Sequence, residues 1–387
     1  MNSQWPCFEQ DEIDIVNKVL KSGKVNYWTG SECKNFEHEF ASYVGVNYAI
    51  SVANGTLALE LALNACNIGP GDEVITTCRT FLASASAIVM KGAKPVIVDV
   101  DLESQNITLE TIKEYVTPNT KAIICVHLAG WPCEMDEIMD YAKEIGIFVI
   151  EDCAQAHGAV YKDRKIGSIG HIGCFSFCQD KIMTTGGEGG MVVTNDDRLW
   201  NKMWSLKDHG KDFDTVFNKE HPPGFRWLHH SFGTNFRMTE IQAAIGRRQL
   251  FKLEKWNSKR TKNVFELSTY LSKYDFIRIP QVPEYIRHAY YKFYVFFDYN
   301  KAPSGLTRDD FIERLCNLGL MCMQGSCYNI TYEKAFLVFP DQFQKKLLNA
   351  ELLGKTSIMF IIDHTIEYKI SMIENILKLD DSNDWFV

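Results

Sequence analysis

Between Tyr48 and Asn195 the chain repeats one pattern: a short, uniformly apolar run, a turn, and a stretch of helix formers. The runs are Tyr48–Val52, Glu73–Thr77, Lys94–Asp99, Ala122–His127, Ile147–Ile150, Cys174–Phe177 and Met191–Thr194. Apolar side chains at consecutive positions require cover on both faces of a strand. That demand is met by a mostly parallel sheet between two helical layers. The segments Thr56–Ala65 and Met135–Glu144 carry apolar residues at helical spacing and serve as crossover helices. The fold class expected is therefore α/β, with a mostly parallel seven-stranded sheet flanked by helices.

The pattern does not continue to the end. A long helical stretch runs from Met238 towards Tyr274, and Ile279-Pro-Gln-Val-Pro283 then breaks the chain. A strand over Tyr290–Phe297 and a capped helix over Thr307–Leu315 follow. At 387 residues the chain exceeds what one core usually supports, so it divides into a large α/β domain, residues 1–245, and a small α+β domain, residues 246–387. The N-terminal segment is free to pack on the small domain, and Asp380–Asp384 is a charged end.

A net charge of −8 repels a phosphate polymer, which sets nucleic acid aside as a partner. The twelve cysteines form no Cys-x-x-Cys pair, and Cys66, Cys125, Cys153 and Cys174 lie in apolar runs, where a thiol behaves as a small hydrophobe. With no basic-then-apolar leader and no apolar run of about 18 residues, the expectation is a cytoplasmic protein without a membrane span.

Lys181 stands in the run Gly173–Gly190, which ends in Gly-Gly-Glu-Gly-Gly, and follows the strand-like stretch that closes on Asp152. An amine that forms a Schiff base needs a carboxylate to keep the cofactor's ring nitrogen protonated, so the pair points to pyridoxal phosphate. Ser176 precedes Lys181 and offers a hydroxyl to a phosphate. Ser51-Val-Ala-Asn-Gly-Thr56 passes from strand to helix, which aims the Gly55 and Thr56 amides at an anion. Each residue also has an ordinary reading: Thr56 or Asp152 as a helix cap, Gln155 and His157 as packing or loop residues, Lys181 as a solvated cation. No Gly-x-Gly-x-x-Gly follows the first strand, which disfavours nicotinamide. His229-His230 lacks metal-ligand spacing, and no metal is expected.

Taken together, the chain resembles the DegT/DnrJ/EryC1/StrS family of sugar-nucleotide aminotransferases, fold type I pyridoxal phosphate enzymes. The resemblance rests on Val52-Ala-Asn-Gly-Thr56, Pro70–Val74, Thr80-Phe81, Lys94–Asp99, Val126–Gly130, Glu151–His157, Phe175–Phe177, Lys181, Gly187–Gly190 and Gly233–Met238. It implies that Lys181 carries the Schiff base, Asp152 pairs with the ring nitrogen and Gln155 meets the 3-hydroxyl oxygen. Phe81 would stack on the ring, and Gly55, Thr56 and Ser176 would hold the phosphate. Asn235 would reach into the partner subunit's site, with Arg237 near that shared edge, so the active form implied is a homodimer with shared sites.

The chain departs from the family at Thr77-Cys78-Arg79 and over Gly325–Glu333. Arg79 is there a candidate for a substrate carboxylate or phosphate, or else a surface ion pair, and Tyr328 is a further substrate candidate. His209 lies in Lys207–Gly210, which together with Pro222–Trp227 reads as a substrate-facing or dimer-contact loop. The reaction implied is transfer of an amino group from L-glutamate to a nucleotide-linked keto sugar, as in surface-polysaccharide and other amino-sugar biosynthesis. The rivals are a sugar-nucleotide 3-dehydratase, in which histidine replaces the lysine, and an inactive cofactor-binding scaffold.

Overall fold

The computed structural model describes residues 3–325, 328–342 and 346–368; the charged end Asp380–Asp384 lies outside them. Seven strands form the central sheet: β1 (Tyr48–Val52), β2 (Glu73–Thr77), β3 (Lys94–Val98), β4 (Thr120–Val126), β5 (Phe148–Asp152), β6 (Ile172–Ser176) and β7 (Gly190–Thr194). Their order is β1-β7-β6-β5-β4-β2-β3. Six run in one direction, and β7 alone is reversed, antiparallel to both β1 and β6. The apolar runs fall on these strands with ends shifted by a residue or two, and every residue of β2, β6 and β7 is buried.

Two apolar layers enclose the sheet. One packs the helices Gly55–Ala65, Ala83–Met90 and Asp197–Lys207 against it through Leu59, Ile88 and Trp204. The other brings Phe36 and Phe40 of the helix Glu32–Val44, Ile138 of Met135–Ile145 and Leu253 of the long helix onto the opposite face. The helices Gln10–Ser22 and Glu32–Val44 precede the repeating pattern and were not legible from it.

The long helix spans Glu240–Leu271 and passes residue 245 without a break. Thr239 opens it with a capping box closed by Gln242. It buries a polar ridge as well as an apolar one. Gln249 accepts from the Thr184 amide, Asn257 donates to the His157 carbonyl, and Asn263 donates to the carbonyls of Asp363 and Ile366. Those bonds fasten loops of the central sheet and of the second sheet to one rod, and a buried amide bonded in this way avoids the desolvation cost of an unmade bond. The second sheet is antiparallel, in the order Ile277–Arg278, Lys292–Phe297, Ser357–Ile361, Cys322–Met323. At the N-terminus, the Gln4 amide donates to Thr365 Oγ1 at 2.9 Å, which ties the chain's start to this second body.

Candidate active site

The carboxyl ends of β1, β5 and β6 point to one edge of the sheet, the edge where ligands bind in open α/β folds. Asp152 ends β5, and Ser176 ends the neighbouring β6. The turn after β1 meets β6 closely: a Cβ on Gly55 would lie 2.6 Å from Ser176 Cβ and 3.0 Å from its Oγ. Gly190 is equally confined, since a Cβ there would lie 2.4 Å from the Asn54 carbonyl oxygen. Glycine is required at both positions, at Gly55 by the Ser176 side chain and at Gly190 by the Asn54 backbone. The helix cap is Asn54, whose side chain accepts from the Leu57 amide at 2.9 Å; Thr56 lies in the first turn and caps nothing.

Asp152 is buried and leads into a turn instead of capping a helix. Its Oδ2 accepts from the Ser84 hydroxyl at 2.8 Å and its Oδ1 from the Ala154 amide at 3.2 Å. Ser84 in turn shares a hydrogen bond with Thr80 at 2.9 Å. Burial raises the Asp152 carboxyl above the usual carboxylate range, against the opposing pull of Ser84, Ala154, His127 and Lys181. Among the described residues no cation pairs directly with Asp152, and a buried carboxylate so placed is complementary to a cationic ring N–H. Next to it, the Gln155 carbonyl oxygen accepts from the Ala129 amide at 2.7 Å. Ala129 sits at φ 57°, a left-handed conformation that turns its N–H towards Gln155.

Glu151 faces away from this edge. It accepts from His127 Nε2 at 3.1 Å and from the amides of Gly167, Ile169 and Gly170. His127 Nδ1 is taken by the Cys133 amide, so its proton sits on Nε2 and the ring donates to Glu151. This buried lattice fixes the loop that follows β5.

Lys181 lies in the connection between β6 and β7. Its Nζ is 3.4 Å from Asp180 Oδ1 and 3.4 Å from the Tyr291 hydroxyl, and its carbonyl accepts from the Trp5 indole N–H at 2.9 Å. The Tyr291 hydroxyl also donates to Asp180 Oδ2. His157 packs against Phe175 and Phe177 with ring centroids 5.5 and 5.7 Å away. Burial and the Lys181 charge depress the His157 imidazole to about 3, so it is neutral at working pH.

Outward from this centre, Phe81 is 72% exposed, and Asn235 is also exposed, its side-chain oxygen accepting from the Arg237 amide. His209 is exposed at φ 59°. Arg79 is not the surface ion pair that its sequence position allowed. It is fully buried, and its guanidinium donates to Gln105 Oε1 at 2.8 Å and to the Tyr328 carbonyl at 3.3 Å. It therefore fastens Tyr328 to the sheet edge from inside the protein, which a surface ion pair does not describe. Arg237 is held by buried Asp208 at 2.8 Å. Tyr328 is 41% exposed.

Ser84, Asp180, Tyr291 and Trp5 were not picked out from sequence. Ser84 stands four residues after Thr80, a helical spacing that could have signalled it. Tyr291 and Trp5 are 110 and 176 residues from Lys181, and no local pattern carries such a contact.

Comparison with known proteins places the chain among aminotransferases. The model of the DegT/DnrJ/EryC1/StrS aminotransferase family matches residues 6–357. A GDP-perosamine synthase of Caulobacter vibrioides is 42% identical over 318 residues, covering 81% of each chain. A dTDP-3-amino-3,6-dideoxy-alpha-D-galactopyranose transaminase of Aneurinibacillus thermoaerophilus is 38% identical over 293 residues, covering 74% of this chain and 75% of that one. The crystal structure of an aminotransferase from Psychrobacter cryohalolentis superposes with a TM-score of 0.95 at 50% identity, covering 98% of this chain and 99% of the other. With the family's model matched over residues 6–357, the chain belongs to the DegT/DnrJ/EryC1/StrS aminotransferase family.

Proposed function

We propose that the protein is a pyridoxal phosphate-dependent aminotransferase that moves an amino group from L-glutamate to a keto sugar carried on a nucleotide. The observation that carries this reading is the convergence of Asp152, Ser176, the Gly55 turn and Lys181 on one sheet edge. Bound there, the cofactor supplies a carbonyl carbon that accepts the amino group and a ring that takes up electron density from the carbon losing its proton.

The chain's own residues do the rest. Ionised Asp152 holds a proton on the ring nitrogen, and Ser84 and the Ala154 amide orient the carboxylate. The Gly55 and Thr56 amides and the Ser176 hydroxyl hold the phosphate at the start of a helix, where the backbone dipoles favour an anion. Gln155 has its carbonyl oxygen engaged by Ala129, which leaves its amide NH₂ for the ring's 3-oxygen. Phe81 covers the ring face. Lys181, once free, moves a proton between the substrate carbon and the cofactor carbon through Nζ. Asn235 acts in the site of a second subunit, which makes the working unit a homodimer. Residues 1–245 hold the cofactor, and residues 246–387 form the smaller domain.

The 3-dehydratase alternative requires histidine in place of the anchoring lysine, and position 181 is lysine. The test is a coupled assay for 2-oxoglutarate. Purified protein with pyridoxal phosphate, L-glutamate and a panel of nucleotide-linked 3-keto and 4-keto deoxysugars is expected to release 2-oxoglutarate in step with an amino sugar. Bound cofactor with no turnover across the panel would leave a scaffold as the better reading.

A further inference from the structure

Amino transfer by this route requires Lys181 to alternate between a covalently held and a free amine, so this inference rests on the function proposed above. A free lysine on its four-carbon stem has rotamer entropy to lose before it is useful. Misplacement of a reacting group by about 1 Å can cost about a hundredfold in rate. Something must therefore hold the amine in the part of turnover when no covalent bond does.

We propose that Asp180 and Tyr291 form a clamp across the seam between the two sheets that holds the free Lys181 amine within reach of the reacting carbon. Asp180 Oδ1 and the Tyr291 hydroxyl each lie 3.4 Å from Lys181 Nζ, and the tyrosine ring centroid lies 4.9 Å from it. The two clamp residues are bonded to each other through the Tyr291 hydroxyl and Asp180 Oδ2, so neither moves alone. Tyr291 is 5% exposed and enters from the segment just before Lys292–Phe297, whereas Asp180 belongs to the connection between β6 and β7. The clamp thus spans the two bodies that the long helix joins.

Both contacts to the amine are longer than a strong hydrogen bond. That length suits a resting place the amine must leave in every cycle. A tight ion pair there would compete with the chemistry. The titratable and charged groups that bear on the clamp include Lys292, which acts on Asp180 and which burial brings down to about 8, buried Arg260, which interacts with Tyr291, Cys178, which interacts with Asp180 and Lys181, and Asp152 and His157, which interact with Lys181. Trp5 holds the main chain of Lys181 from a third side. Asp180 and Tyr291 are positioning residues, since they act through the lysine.

The test compares Asp180→Asn and Tyr291→Phe with the wild-type holoenzyme. In each variant kcat is expected to fall about tenfold to a hundredfold while KM for glutamate and for the keto sugar stays within about twofold. The Asp180 charge favours a protonated nitrogen beside it. In Asp180→Asn the pH midpoint of the bound cofactor's visible band should therefore move down by about one unit, the lower end for a nearby opposite charge because the Asp180 side chain is half exposed. A seam contact with no positioning role would lower thermal stability and leave the band and the kcat-to-KM split unmoved, and that result overturns the clamp. Asp180→Asn alters a half-exposed side chain, so it reports even where Tyr291→Phe loosens the seam. Turnover surviving in Lys181→Ala would sink amino transfer itself. A dead Lys181→Ala beside unaffected clamp variants sinks only the clamp.

Discussion

Lys181→Ala is expected to abolish turnover, by about 10⁴-fold or more, and to remove the visible absorbance of bound pyridoxal phosphate. Alanine leaves the fold intact, because the fixed element here is the main chain: the Lys181 amide donates to the Cys178 carbonyl and its carbonyl accepts from Trp5. Circular dichroism and thermal unfolding should accordingly match wild type while the assay reads zero. The same variant tests the shared site. A homodimer of Asn235→Ala lacks the partner's contribution in both sites, and one of Lys181→Ala lacks the amine in both. Mixed and reassembled, a heterodimer regains one complete site, so activity should recover to about a quarter of wild type. If Asn235 served its own subunit, no mixture would recover anything.

Asp152→Asn should separate function from stability. Loss of the anion proposed to pair with the ring nitrogen is expected to lower kcat by about 10²–10³. The cofactor-free variant should nonetheless unfold at a higher temperature than wild type at neutral pH. Burial raises the Asp152 carboxyl in the folded state, so the unfolded chain ionises more readily and ionisation favours unfolding. Amide replacement removes that cost. The gain should be full above the raised folded value, shrink as the pH falls through it, and vanish below the ordinary carboxylate value of about 4. Thermal melts of both cofactor-free proteins across pH check the sign, and a variant less stable at every pH would refute the account.

Much of the sheet was legible because its information is local. A run such as Glu73–Thr77 announces burial on both faces, and all five residues are buried. The reversal of β7 was not legible: Gly190–Thr194 is as apolar as the strands that run parallel to one another, and direction is set by the connection from β6 through Lys181, not by composition. The site divides the same way. Asp152 announces itself by ending a strand, whereas Ser176, read inside the run Cys174–Phe177, proves to be the last residue of β6. The burial of Arg79 was not legible because its partners Gln105 and Tyr328 come from 26 and 249 residues away. Tyr291 was invisible for the same reason. Proximity built by tertiary folding leaves no periodic trace.

The Trp5 bond to the Lys181 carbonyl joins groups 176 residues apart, and the Tyr291 contact adds a loop of 110 in the other direction. Closing such loops comes late, since their entropy must be overcome before the contacts return any stability. The cofactor should thus serve as a clock for the end of folding. After dilution from denaturant, recovery of its visible band is expected to lag recovery of the far-ultraviolet helical signal, and coincident traces would show that the site forms with the sheet.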